Sequence, residues 1–183
     1  MASLNNGSVA QTGNSTFLRI VAALSNVSGW IAAGFILLAV GITCQMIFVR
    51  FVLNQSTIWQ TEMVVYLMIA ATLMGLPYVQ RLRGHVNVDL LPIMLPPPAR
   101  KTLAIITLLV GISIIGLIVF YGFEFWYEAW SRNWRSDTVW GVRLWIPYLA
   151  VPVGFSLYLL QLIADLVALL RGYEKPFGIG GDQ

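Results

Sequence analysis

Residues 102–123 read TLAIITLLVGISIIGLIVFYGF, twenty-two positions without a charged side chain. At ~1.5 Å per residue such a run covers a ~30 Å hydrocarbon slab as a helix, and only a helix or a closed barrel satisfies its backbone there. Runs this long are not barrel strands. The bulk composition agrees. Of 183 residues, 58 % are hydrophobic and 10 % charged, with a mean hydropathy of +0.76, against roughly 25 % charged residues in a soluble domain.

Three further runs of this kind flank the first. One covers about 29–49, inside a charge-free interval between Arg19 and Arg50. Another covers about 58–79, with Glu62 as its single charge, and the last covers about 145–163, with Pro147 and Pro152 inside it. The expected fold class is an all-α integral membrane protein with four transmembrane helices. The expected divisions are a polar N-terminal tail at 1–27, a membrane domain at 28–171 and a C-terminal tail at 172–183. The first span reads as a retained signal-anchor, because residues 1–18 hold no positive charge and no apolar run.

Upstream of the quoted run lies RLRGHVNVDLLPIMLPPPARK, residues 81–101, with four of the eleven basic residues, the one histidine and four of the eight prolines. Arg81 and Arg83 close the preceding span, and Gly84 permits a sharp change of direction. Asp89 is placed to cap a short helix, with Pro92 in its first turn, where a missing N–H costs nothing. Leu90, Leu91, Ile93, Met94 and Leu95 are too few to span and too apolar for water, which predicts a short interfacial helix at about 89–95. Arg100 and Lys101 then anchor the next span among lipid phosphates.

Downstream, Trp126, Tyr127, Trp130 and Trp134 recur at helical spacing, so the third helix is expected to run to about Arg135. Glu128 and Arg132 form an i, i+4 pair in the favourable order. Five of the seven tryptophans fall between 126 and 145, a density above that of an ordinary interfacial belt, which sets the stripe in the headgroup layer or against a partner, the belt being the plainer reading. In the second span Thr57 and Gln60 have the spacing of a capping box, and Trp59 marks the same interface. Glu62 lies about a turn and a half inside, where a carboxylate either snorkels to the headgroups or meets a partner. Gln161 and Asp165 share one face of the fourth span and mark its exit.

Orientation follows from the Lys and Arg count. Arg19, Arg81, Arg83, Arg100, Lys101, Arg171 and Lys175 gather on one side, and Arg50, Arg132, Arg135 and Arg143 on the other. Seven against four places both termini in the cytoplasm.

Several classes of function are disfavoured by the residues themselves. One His85, with no thiolate cluster beside it, makes no metal site and no paired haem ligation; its expected state is bonded to a backbone carbonyl or to Asp89. Cys44 lies inside the first span and reads as a buried small hydrophobe. No nucleophile and base converge at one depth as an enzyme requires. The net charge of +3 comes from span ends, not from a basic face that would bind nucleic acid. No cofactor is expected.

The segments WQTEMVVYL (59–67), MGLPYVQR (74–81) and RLRGHVNVDLLPIMLPPPARK together resemble the small, DctQ-like membrane subunit of TRAP transporters, the tripartite ATP-independent periplasmic carriers. The matching positions are Arg81, Gly84, His85, Val86, Val88, Asp89 and Pro96. The resemblance implies a scaffold in a bacterial inner membrane. Such a scaffold pairs with a large elevator-type membrane subunit and a periplasmic binding protein for ion-driven, commonly sodium-coupled, uptake of organic acids. It also implies that Trp59, Glu62, Arg81, Gly84, His85 and Asp89 are structural or subunit-contact residues. Arg83, Arg100, Lys101, Trp126, Trp130 and Trp134 are the expected lipid-interface residues. A small autonomous proton-coupled exporter that uses Glu62 is the alternative reading.

Overall fold

A computed structural model describes residues 16–82 and 96–172, apart from the side chain of Pro97. The elements are α1 (Thr16–Val52), α2 (Ile58–Arg81), α3 (Pro97–Ser131), a short α4 (Trp145–Tyr148) and α5 (Ala150–Leu170). Four stretches are long and apolar enough to cross a membrane: α1, α2, Pro98–Ser131 of α3, and α4 with α5 as one 26-residue span. This is the expected multi-pass helical membrane protein. The interfacial helix expected at 89–95 lies outside the described residues; the short helix within them is α4.

Two helices are longer than the sequence predicts. α1 begins at Thr16, so residues 16–27 are helical rather than part of a polar tail. The reason lies in its seam. Leu18, Val21, Ser25, Ser28, Ala32 and Ala39 are the buried positions of α1, spaced three and four apart as in a left-handed helix pair. That stripe continues inward past Gly29, and Leu18 and Val21 form a small cluster with Ala164 and Ala168 of α5. With 37 residues, α1 is ~55 Å long at ~1.5 Å per residue, well beyond the ~30 Å hydrocarbon layer.

The fourth span runs to Leu170 instead of ending near Ile163. It breaks into α4 and α5 around Leu149, where Pro152 removes the N–H that the Tyr148 carbonyl would accept. α3, in contrast, stops at Ser131, four residues short of expectation. Asn133 then adopts φ +49°, a conformation that asparagine tolerates and that turns the chain back. Trp134 is therefore off the helix, although its ring still packs on Phe125 at 5.9 Å.

α1 and α2 form an antiparallel hairpin, the fourth span lies against both, and α3 packs mainly on the fourth span. Small residues let the backbones approach, as is usual where lipid removes the hydrophobic drive between helices. The tightest crossing joins α2 to α5. Pro77 leaves the Leu73 carbonyl without its usual i+4 donor, and Gly154 backs onto that carbonyl. A Cβ at 154 would stand 2.8 Å from the Leu73 Cβ and 3.0 Å from its carbonyl carbon and oxygen. Pro77 and Pro152 are among the most fully buried side chains.

Outside these seams the helices are apolar on every face. Leu37 is 72 % exposed and Phe51 85 %, as lipid-facing side chains are. Cys44, expected to be buried, is exposed on α1.

The crossing generates a test. Gly154→Val meets backbone rather than a movable side chain, so it should destabilise the bundle by about 1–3 kcal/mol, the usual cost of overpacking. Gly34→Ala, with no atom within 4 Å of the new Cβ, should leave the detergent melting temperature unchanged or slightly raised.

Candidate functional site

Polar side chains gather at the two ends of the bundle. At the end that carries the start of α1, called inner after the orientation expected from the Lys and Arg count (the opposite end is called outer), Ser25 of α1 donates its hydroxyl to Gln161 Oε1 of α5 at 2.6 Å, with both residues buried. Gln161 Nε2 donates to Asp165 Oδ1 at 2.7 Å. Gln80 Nε2 of α2 donates to the other oxygen, Asp165 Oδ2, at 2.9 Å. One unbroken chain of hydrogen bonds thus ties three helices. Arg81 extends it, donating to the Ala22 carbonyl of α1 at 3.2 Å and to Asn26 Oδ1. Ser28 folds back on the Ser25 carbonyl at 2.9 Å.

At the outer end the chain from Arg132 to Leu144 forms a short ribbon. Ser136 N donates to Val142 O at 2.9 Å and Leu144 N to Trp134 O at 3.0 Å, with Arg135 directly opposite Arg143. Gly141 N closes the turn on Thr138 O at 3.0 Å, with Gly141 at φ +57°, where glycine is the residue of least strain. Glu62 fastens this ribbon to α2. Its Oε1 accepts the Tyr66 hydroxyl at 2.6 Å and the Ser136 hydroxyl; its Oε2 accepts the Thr138 hydroxyl at 2.5 Å. Trp59 packs beside it on Trp140, with ring centroids 6.3 Å apart.

An aromatic shelf completes the outer end. Trp126 Nε1 donates to the Trp145 carbonyl at 3.0 Å. Trp126 lies 5.2 Å from Trp130, and Trp130 lies 6.2 Å from Trp145. Phe125 stacks on Tyr148 at 4.9 Å. The tryptophans expected as a lipid belt therefore also fix α3 to the start of the fourth span.

Of the residues singled out from sequence, Trp59, Glu62 and Arg81 make contacts within the chain. Beside the two readings offered for Glu62, snorkelling or a partner contact, the structure adds an intrachain role: its carboxylate anchors the outer ribbon. Arg100 and Lys101 stand in the first turns of α3. Arg83, Gly84, His85 and Asp89 lie outside the described residues. The capping box does not form. Thr57 is the N-cap of α2 but makes no side-chain cap bond. Thr57 Oγ1 and Gln60 Oε1 are buried without a hydrogen-bond partner among the described residues. A ψ of 66° at Thr57 departs from the extended geometry that lets a cap hydroxyl reach the first-turn amides.

Sequence reading missed Ser25, Asn26, Gln80, Tyr66, Ser136 and Thr138. A faint signal existed: Gln161 and Asp165 one turn apart, and hydroxyls at 136 and 138 with a strand's alternation. Among the described residues no group of three His, Cys, Asp or Glu side chains converges as metal ligands would.

The chain matches the family model for tripartite ATP-independent periplasmic transporters, DctQ component, over residues 39–172, and it belongs to that family. It is similar to the C4-dicarboxylate TRAP transporter small permease protein DctQ of Pseudomonas aeruginosa, with 25 % identity over 132 residues covering 71 % of this chain and 63 % of that protein. It is also similar to the protein of the same description from Rhodobacter capsulatus, with 26 % identity over 121 residues covering 66 % of this chain and 53 % of that protein. The match thus spans less than two thirds of the length of either relative.

The two polar clusters carry separate expectations. Gln161→Leu strands the Ser25 hydroxyl and one oxygen of Asp165, and should cost about 1–2 kcal/mol in thermal unfolding, the range for interhelical hydrogen bonds in membranes. Glu62→Leu should release the ribbon and speed trypsin cleavage after Arg135 and Arg143, while Glu62→Gln, which keeps an acceptor oxygen, should slow that cleavage again. Equal cleavage in all three proteins would mean the ribbon is held by other contacts.

Proposed function

We propose that the chain is the fixed scaffold subunit of a TRAP-type carrier in a bacterial inner membrane, with both termini cytoplasmic. Its partners in this reading are a large elevator-type membrane subunit, which binds solute and coupling ion, and a periplasmic binding protein, which delivers the solute. The printed descriptions of the relatives name C4-dicarboxylates. A carboxylate-bearing solute is accordingly the proposed cargo, moved with sodium as the proposed coupling ion.

One observation carries the reading: the membrane-embedded carboxylates are spent on holding the bundle together. Glu62 receives three hydroxyl groups at the outer end, and Asp165 receives two carboxamides at the inner end. A carrier that couples to an ion by itself needs ionisable groups near the midplane, free to exchange partners, and commonly broken helices there. Among the described residues the one span break, at Leu149, lies at the outer end beside the aromatic shelf.

A second feature supports a partner. α3 crosses with few of its apolar residues buried within the chain, in contrast to the fourth span. In the proposed complex the larger membrane subunit would cover this broad apolar flank.

Expression of the tagged chain with and without its genomic neighbours, followed by native mass spectrometry, tests the proposal. A stoichiometric complex with one large hydrophobic protein is expected, and no solute uptake by vesicles holding this chain alone. Uptake by the chain alone, abolished in Glu62→Gln, would replace the scaffold with a self-sufficient exporter.

A further inference from the structure

The outer ribbon pairs two arginines in an unfavourable way. Hydrogen bonds run from Ser136 N to Val142 O and from Leu144 N to Trp134 O, so Arg135 and Arg143 occupy a non-hydrogen-bonded position of an antiparallel pair. That is the position where facing side chains come closest, with Cα atoms ~4.5 Å apart. Like charges directly opposite are destabilising. Alternation fixes which way they face. Ser136 turns toward Glu62 on α2, so its neighbour Arg135, and with it Arg143, lie on the other face of the ribbon. Both are exposed. Among the described residues neither guanidinium has an ion pair or side-chain hydrogen bond. Asp137, on the same ribbon, pairs with neither, and Glu128 is taken by Arg132 at 3.1 Å.

Depth identifies the anion that would neutralise such a pair. The ribbon lies back against the start of α2. Glu62 and Trp59, which hold it, belong to the first two turns of α2, level with the outer end of the apolar slab. Between the arginines, at the tip, stand Val139, 88 % exposed, and Trp140, 38 % exposed. An apolar tip, an interfacial tryptophan and two outward guanidinium groups on a pinned ribbon match the headgroup layer, where phosphate is the abundant anion. Guanidinium forks suit phosphate oxygens in a bidentate fashion.

We propose that Arg135 and Arg143 form a binding site for the phosphate of an anionic lipid headgroup at the outer end of the bundle. The bound phosphate relieves the cross-strand repulsion, and the lipid chains run down beside Val139 and the outer end of α2. The site is complete within this chain and does not depend on its place in a carrier.

The full chain in nanodiscs provides the test, with phosphatidylcholine alone compared with equal parts of phosphatidylcholine and phosphatidylglycerol. Phosphatidylglycerol should raise the melting temperature of the wild type and be retained in native mass spectra. The double variant Arg135→Gln/Arg143→Gln should lose that rise, with affinity for phosphatidylglycerol down about fivefold for each arginine removed. In phosphatidylcholine alone the same variant should melt at or above the wild type, because the repulsion is gone. Arg50→Gln, a basic residue at the outer end of α1, should keep the rise.

An undiminished rise in the double variant would overturn the site. So would a double variant less stable than the wild type in phosphatidylcholine alone, which would make the arginines structural. A full rise with inorganic phosphate in detergent would overturn the lipid assignment in favour of a soluble anion. Retained lipid response with loss of a co-purifying membrane subunit would overturn it in favour of an acidic protein contact.

Discussion

The bundle depends on the hydrogen-bond chain from Ser25 through Gln161 and Asp165 to Gln80. In a hydrocarbon layer the hydrophobic effect gives helices no reason to prefer each other over lipid, so close backbone approach and polar bonds must choose the partner. The small-residue seams give the approach, at Gly29 beneath Tyr78 and at Gly154 against Leu73. Such seams alone tolerate sliding by a turn. The Ser25–Gln161–Asp165–Gln80 chain does not, because a shift of one turn would leave a carboxylate and two carboxamides unpaired in a low-dielectric layer. It therefore fixes the register of α1, α2 and α5 together, and α3 then needs only to pack on the fourth span.

The two ends of the molecule solve different problems. The inner end joins helices directly, side chain to side chain, with Arg81 closing onto a carbonyl of α1. The outer end must instead control a connection. Thirteen residues separate α3 from α4, and a loop of that length left free at a membrane surface would carry unpaired backbone groups toward the lipid. The ribbon satisfies part of that backbone within itself. Glu62 then holds it down by its hydroxyls, so that a carboxylate within the second span and the turn between the third and fourth act as one unit.

Much of this was legible in the amino-acid sequence. Uncharged runs such as 102–123 specify spans because length and polarity have one meaning in a bilayer. The residues WQTEMVVYL and RLRGHVNVDLL carry the family resemblance. What was not legible is how far each helix runs and which polar groups meet. Residues 16–27 look like a polar tail in isolation; the seam of Leu18, Val21 and Ser25 becomes visible only with Ala164 and Ala168 opposite. Asn133, by contrast, ends α3 through local backbone geometry that the aromatic periodicity masks. Glu62 was noticed, but its intrachain role was missed for a related reason. Tyr66 is one turn away, but its other two partners lie more than seventy positions off, in a stretch whose serine and threonine read as ordinary loop residues. The capping box failed in the opposite sense: a local pattern at Thr57 and Gln60 was overridden by the backbone angle that the turn into α2 imposes.

The proposed scaffold role would gain from charges spent within the chain itself. Each ionisable group placed in or beside a membrane is costly unless paired, and each pairing with a moving partner would have to be broken and remade during transport. Glu62 and Asp165 are satisfied by hydroxyls and carboxamides of the same chain, so the bundle keeps one arrangement whatever lies against it. The surface left over is almost wholly apolar along α3, which allows a neighbour to be held by shape without a polar group that must be exchanged. An internally satisfied body with one broad apolar flank would suit the stationary side proposed for it.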